Sequence, residues 1–491
     1  MEKALDNETI FMQIETAFKD YSLDSLFDKS LALESELLSI NGPDEGVEFH
    51  QRNRIYPGNN YFFSTFSIIF NDDYGKKAVD NYLMEKVGKN IDLQLGNLIM
   101  RNSSTGANAL MSTEGESQKK YIFKMYLLYL LLSESELNSS LCKITDLTVE
   151  ELTAISFFII VFFQKEFITC YGLNSDFSKK FLANFKNFLV KHVDFIVMDI
   201  NEFKRKQIEK YKANNFDLFS TRWLLKDYPI IKNGSDYHVV SYLFIQNAIV
   251  SRAVYSIANK GVNSDIIGKA YEKIIYDTIV KSYSCQSSCN KTKKIYFNPG
   301  TKKKELCDIM IACDDKYILI DCKAKGVVES IYSDNADEVN FLAEKYKQRL
   351  DRIKDIKENR FDKFFPKDVN VDNIFSLIAL MDDSWYPRIV LINNDIKNIT
   401  SKERDYCLNN IDSITYENLL EAIIADVDLI SIFKKRKCKQ KLSHSFSSLI
   451  SVDEKKEYNM IYNKWYGDTK ERLLEMIDKY DLYPEEYKGT K

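Results

Sequence analysis

The spacing of apolar residues changes once along this chain, near residue 228. From Met1 to about Tyr211 they lie on broad helical stripes, as in Ser117 to Ser135, Thr148 to Thr169 and Ser178 to Phe203, with few strand-like alternations. This predicts a large α-helical domain over residues 1–225. Between Tyr228 and Val240, two short β-branched runs flank Asn233-Gly234, a hairpin signal, and a helix is expected from Ser241 to Lys260. Hairpin and helix form a connector over 226–262.

The pattern then mixes both periods. A helix is predicted from Ser264 to Ser282, capped by Ser264 or Asp265, then strands at Lys294 to Asn298, Leu306 to Cys313 and Tyr317 to Lys325. A helix follows from Asp337 to Ile356. Its stripe is Val339, Leu342, Tyr346, Leu350 and Ile353, with Lys345, Gln348, Arg349 and Arg352 facing elsewhere. Asn373 to Met381 and Arg388 to Ile392 are short enough for buried strands, and Tyr416 to Ala425 suits a helix. The fold class is therefore α+β or α/β: a helical N-terminal domain, then a mixed β-sheet flanked by helices over 263–430. A basic segment and helical tail fill 431–491.

With 491 residues, two or three domains are expected, and 45% hydrophobic residues with only 16 Gly and 7 Pro argue against disorder. The twelve-residue apolar run Leu152 to Phe163 is too short to cross a bilayer, so no membrane partner is expected. Nine scattered Cys and an N-terminus without a signal-peptide core suggest a reduced, cytoplasmic protein. Net charge is −4, so any nucleic-acid site must be a local basic patch. His50 and His192 stand alone, and Cys285, Cys289, Cys307 and Cys313 lack regular zinc spacing.

One cluster carries candidate chemistry. Asp321-Cys322-Lys323 ends the third strand of the mixed domain; a period of two puts Asp321 and Lys323 on one face, and hairpin pairing brings Asp308 beside them. Two carboxylates and a lysine suit phosphodiester hydrolysis: hard oxygens hold Mg²⁺, or Mn²⁺ in its place, and an ammonium positions water and offsets developing charge. The Cys322 backbone carbonyl is a candidate for a further oxygen ligand. An acid-x-Lys triplet alone is weak, because 72 acids and 55 Lys give roughly eight by chance. Asp395-Ile396-Lys397 is the serious rival, but Pro387 and two Asn separate it from a clear strand.

In order, these elements resemble the PD-(D/E)XK, or restriction-endonuclease-like, nuclease superfamily over about Ile266 to Ala425. Gly268-Lys269-Ala270-Tyr271-Glu272 looks like the family's Gly-x-x-x-Glu helix, Leu306-Cys307-Asp308 its first hairpin arm without the Pro, and Asp321-Cys322-Lys323 its second. The resemblance implies Glu272, Asp308 and Asp321 as metal ligands, Lys323 as a catalytic residue and Gln348 as a supporting polar residue. It implies a DNA endonuclease, working as a homodimer or larger assembly; by analogy of architecture it suggests bacterial defence against phage, with a partner protein from the same system. Lys302, Lys303, Lys304 and Lys325 are placed to meet a nucleic-acid backbone, and the run Lys434 to Lys441 is the densest basic patch. Two readings without catalysis stay open: a nucleic-acid-binding protein that keeps the fold, and a helical scaffold with an interaction domain.

Overall fold

The computed structural model describes residues 5–38, 43–55, 60–71, 75–101, 118–162, 176–218, 223–259, 264–285, 293–301, 304–324, 335–381, 391–424, 429–430, 432–433 and 463–482. The chain divides into two compact units, Met1–Ile257 with Trp465–Lys491, and Ala258–Lys464. Among the described residues no helix is long and apolar enough to cross a membrane.

The first unit is mostly helical, and its largest cluster is aromatic. Phe11, Phe18, Phe62, Phe63, Phe66 and Tyr211 are buried there, Phe11 and Tyr211 with ring centroids 5.1 Å apart. Helix Asn81–Arg101 approaches the Asn53-Arg54-Ile55 turn at Gly88, where a Cβ would stand 1.9 Å from the Arg54 carbonyl oxygen. The helix expected from Ser178 to Phe203 is instead two helices, Asp176–His192 and Ile200–Ala213. Between them runs strand β1 (Val197–Asp199), because its backbone pairs in parallel with β2 (Ile230–Asn233), and the Asp199 carboxylate caps the second helix by accepting from the Asn201 and Glu202 amides. The hairpin β2–β3 (β3, Asp236–Val239) is thereby tied into the first unit. Its loop is Gly234-Ser235 rather than Asn233-Gly234, with Gly234 at φ +61°, the first central position that a type II′ turn reserves for glycine. Leu152 to Phe158 lie in helix Val149–Phe162 and are buried, as a core helix requires. His192 is buried against Phe188 and Tyr480.

The second unit is built on one mixed sheet in the order β4-β5-β6-β7-β8. Strands β4 (Lys293–Phe297), β5 (Ile309–Cys313) and β6 (Lys316–Lys323) form an antiparallel meander, to which β7 (Ile374–Leu380) and β8 (Ile411–Thr415) add in parallel. The parallel steps require crossovers, supplied by helices Asn335–Lys357 and Ser401–Asn410. All seven side chains of β7 are buried, as expected of a strand covered on both faces. One face, through Met310, Tyr317 and Leu319, packs on Ile353 and Ile356 of helix Asn335–Lys357. Helix Ser264–Cys285 lies along β6, with the Tyr271 hydroxyl donating to the Leu380 carbonyl at 2.9 Å.

Arg388 to Ile392 is not a strand where it is described. Leu391–Asp395 forms a π-helical turn, and Leu391 and Ile392 are buried with Leu342, Tyr346 and Leu350 of helix Asn335–Lys357 and with Ile378 and Leu380 of β7. The rival Asp395-Ile396-Lys397 therefore begins on the last residue of a turn, and of the three only Ile396 enters the hydrophobic core.

Candidate active site

The site forms where β5 and β6 leave the sheet. Asp308 precedes β5 rather than lying within it, and its N–H donates to the Ile320 carbonyl at 3.1 Å, although the ladder pairs Ile320 with Ile309. Two residues thus face one, the count of a β-bulge, which re-aims a side chain at the end of a pairing. The Asp308 carboxylate turns along β6. There Oδ2 accepts from the Cys322 amide at 2.6 Å and lies 3.6 Å from the Lys323 ammonium. A strand residue sends its N–H and carbonyl to the same side, so the Cys322 carbonyl faces the Asp308 end of β5, as a backbone ligand there would need to.

Glu272 reaches the same cluster from helix Ser264–Cys285. It is half-buried, and its carboxyl is pushed above the usual range, first by burial and then by the charge of Asp308, with Lys323 acting in opposition. Asp308, Lys323 and Glu272 are thus brought into one electrostatic neighbourhood from three segments distant in sequence.

Asp321 has a different partner. Its carboxylate, 5% exposed, is ion-paired with Arg349, also 5% exposed, from helix Asn335–Lys357. Arg349 Nη1 also donates to the Leu306 carbonyl at 3.2 Å, while its Nε donates to no group among the described residues. Expected on the helix's outward side, Arg349 instead faces the sheet. The signal was available: Leu342, Tyr346, Arg349 and Ile353 are spaced 4, 3 and 4, so Arg349 continues the apolar stripe. Its neighbour Gln348 is exposed and accepts from Lys345 at 3.2 Å, so it does not point into the site.

Around the cluster, Lys304 Nζ is 2.5 Å from buried Asp355, which also holds Arg360 at 3.0 Å, so this lysine is engaged within the unit. Lys302, Lys303, Lys325, Cys289 and the basic run from Lys434 lie outside the described residues. Cys307, Cys313 and Cys322 are buried, and burial pushes the Cys307 thiol up to about 12, which keeps it protonated.

Set against known protein families, curated proteins and solved structures, the chain matches none. What the site can do must therefore be argued from its donors. Three carboxylates and a carbonyl are hard oxygen ligands, the set that Mg²⁺ or Mn²⁺ prefers. In chemistry the residues fit such an ion. In arrangement they stand one step short: Lys323 and Arg349 already neutralise Asp308 and Asp321, and among the described residues no three acids, His or Cys gather closely enough to hold a metal.

Proposed function

We propose that the second unit is a metal-dependent nuclease that hydrolyses phosphodiester bonds, with DNA as its substrate. The observation that carries this reading is the buried Asp308 carboxylate held by the Cys322 amide and facing the Lys323 ammonium at the end of the β5–β6 pair, with Glu272 within reach of its charge. Isolated surface charges would have no reason to converge there, half or wholly withdrawn from water, where burying a charge is costly. The element order of helix, three-strand meander, helix and parallel strand supports the resemblance to PD-(D/E)XK nucleases.

In this reading Asp308, the Cys322 carbonyl and Glu272 would hold the ion, joined by Asp321 once it is released from Arg349. Bound Mg²⁺ would polarise the scissile phosphate and lower the pKa of a bound water. The chain's own groups do the rest. The Cys322 amide fixes the Asp308 carboxylate by a charge-assisted hydrogen bond. The Lys323 ammonium, a quarter exposed at the end of its strand, is placed to orient water and to offset charge developing on the phosphate. Glu272, whose carboxyl is raised by burial and by the charge of Asp308, would give up its proton as an ion binds and serve as a ligand. A role in bacterial defence, with a partner protein or a second copy, belongs to the same proposal and rests on analogy of architecture.

One observation favours a second reading, a nucleic-acid-binding protein without catalysis: Arg349 occupies Asp321 with a permanent positive charge. Purified protein incubated with DNA and RNA in Mg²⁺ or Mn²⁺ separates the two. The nuclease reading expects cleavage that Asp308→Asn lowers at least roughly a hundredfold, the scale of losing one preorganised electrostatic group. No cleavage by the wild type, with nucleic-acid binding retained, would leave the second reading standing.

A further inference from the structure

Among the described residues of the second unit, one large apolar side chain is exposed: Phe297, with 42% of its surface in water. It stands beside the candidate active site. Phe297 ends β4 and pairs in register with Ile309, the residue after Asp308. The next amide, that of Asn298, donates to the Asp308 carbonyl at 2.7 Å, so one backbone hydrogen bond ties the aromatic segment to the candidate metal ligand. Asn298 takes φ +46°, which stops the strand there, and the Leu306 amide closes the following turn on the Pro299 carbonyl at 2.9 Å. This backbone is therefore well fixed.

Phe297 is also not alone. Its ring centroid lies 4.8 Å from that of Tyr276, with 41° between the planes. Tyr276 is half-buried and follows Glu272 by one helical turn on helix Ser264–Cys285, so it shares that residue's face. Each aromatic is thus next to a segment of the charged cluster: Phe297 precedes Asn298, which bonds the Asp308 carbonyl, and Tyr276 lies one turn from Glu272. Lys273, one turn before Tyr276 and exposed, adds a cation beside the pair.

We infer that Phe297, backed by Tyr276, is a stacking platform for an unpaired nucleobase next to the phosphate that is cut, and hence that the substrate is single-stranded or locally unpaired. The inference rests on the nuclease reading above and names its substrate class. In a duplex the faces of the bases are covered by their neighbours, and an aromatic ring gains access only by forcing a base step apart. An unpaired base offers its whole face, and any of the four bases serves, because each has a π-surface. The Phe297 ring lies on the side of the sheet covered by helix Ser264–Cys285, so a phosphate held at Glu272 and Asp308 would leave the base of an adjacent nucleotide on the side of that ring. The platform would therefore select for strandedness and not for sequence.

The experiment measures fluorescence anisotropy of a labelled 12-nucleotide DNA single strand and of the same sequence as a blunt duplex, in Ca²⁺ to hold binding without turnover. Wild type, Phe297→Ala, Phe297→Leu and Phe297→Trp are compared. Phe297 is exposed, so all three variants are expected to fold, which circular dichroism checks. The expected result is single-strand binding at least tenfold tighter than duplex binding. Phe297→Ala and Phe297→Leu should weaken the single strand roughly tenfold or more, leaving the duplex unchanged, while Phe297→Trp retains the affinity. Leucine matters because it keeps apolar bulk and loses the π-face. Equal or tighter duplex binding, or single-strand affinity unmoved by Phe297→Leu, overturns the inference; if the wild type still cleaves DNA in an Asp308-dependent way, the nuclease reading survives that failure. Absence of binding to both probes overturns both.

Discussion

Replacing Arg349 with methionine tests the electrostatics of the site directly. Methionine nearly keeps the side-chain length and removes the charge, which leaves the Asp321 carboxylate buried without its counter-ion. Breaking a buried pair from one side costs about 3–5 kcal/mol. Protonation sets a ceiling on that figure, since a carboxyl of ordinary pKa can take up a proton at pH 7 for about 4 kcal/mol and at pH 5 for about 1.5 kcal/mol. The lost hydrogen bond to the Leu306 carbonyl adds about 1 kcal/mol at either pH. In the variant the stranded carboxyl has a folded-state pKa above its unfolded one, so its deficit grows as pH rises and fades as pH falls.

Because the chain has two units, global unfolding is a poor reporter, and hydrogen exchange of β5 and β6 measures the local opening free energy instead. After correction for intrinsic rates, Arg349→Met should speed exchange there by at least roughly a hundredfold at pH 7, at about 1.4 kcal/mol per tenfold, and by much less at pH 5. Adding Asp321→Asn should restore most of the protection, since no charge is then stranded. A change below tenfold, or an equal change at both pH values, would refute the account of Asp321 as a carboxylate held by Arg349.

Two further outcomes follow from the same kind of reasoning. Glu272→Gln should raise the melting temperature at neutral pH and converge on the wild type in acid, because a carboxyl raised by burial and by Asp308 destabilises the fold only when it is charged; nuclease activity should fall in the same variant, and a lower melting temperature at pH 7 would contradict the assigned cause. Gly88→Ala should destabilise the first unit by several kcal/mol in a thermal or urea scan, although alanine is the better helix former by about 1 kcal/mol, since its Cβ would meet the Arg54 carbonyl oxygen; a neutral or stabilising result would mean that the two segments part easily.

Much of the second unit was legible in the sequence because its elements are bounded by strong local signals. Helix Ser264–Cys285, strands β4 to β7 and helix Asn335–Lys357 lie within about three residues of their expected positions, since Gly, Pro and acidic turns punctuate apolar runs there. Strand β8 escaped because Ile-Asp-Ser-Ile-Thr reads as polar, although Asp412 is buried. Helix Ser401–Asn410 carried a signal that was passed over, Thr400 with Glu403 three residues on, which form a full capping box. The strand β1 was illegible in principle, because three residues between two helices become a strand only when β2 arrives to pair with them.

The site divides along the same line. Residue types and their order marked Asp308, Lys323 and Glu272, because a hairpin and an adjoining helix leave few ways to arrange them. The bulge at Asp308 and the partner of Asp321 were out of reach of that logic, since both depend on how strands and a helix meet in three dimensions. Arg349 shows the cost of sorting residues by polarity before sorting them by position. A charged residue on an apolar stripe is either a folding liability or the partner of something buried, and the burial of Arg349 makes the second choice. Phe297 is the counterpart, an apolar ring that packs on Tyr276 with one side and leaves the other in water, where the proposed base would cover it.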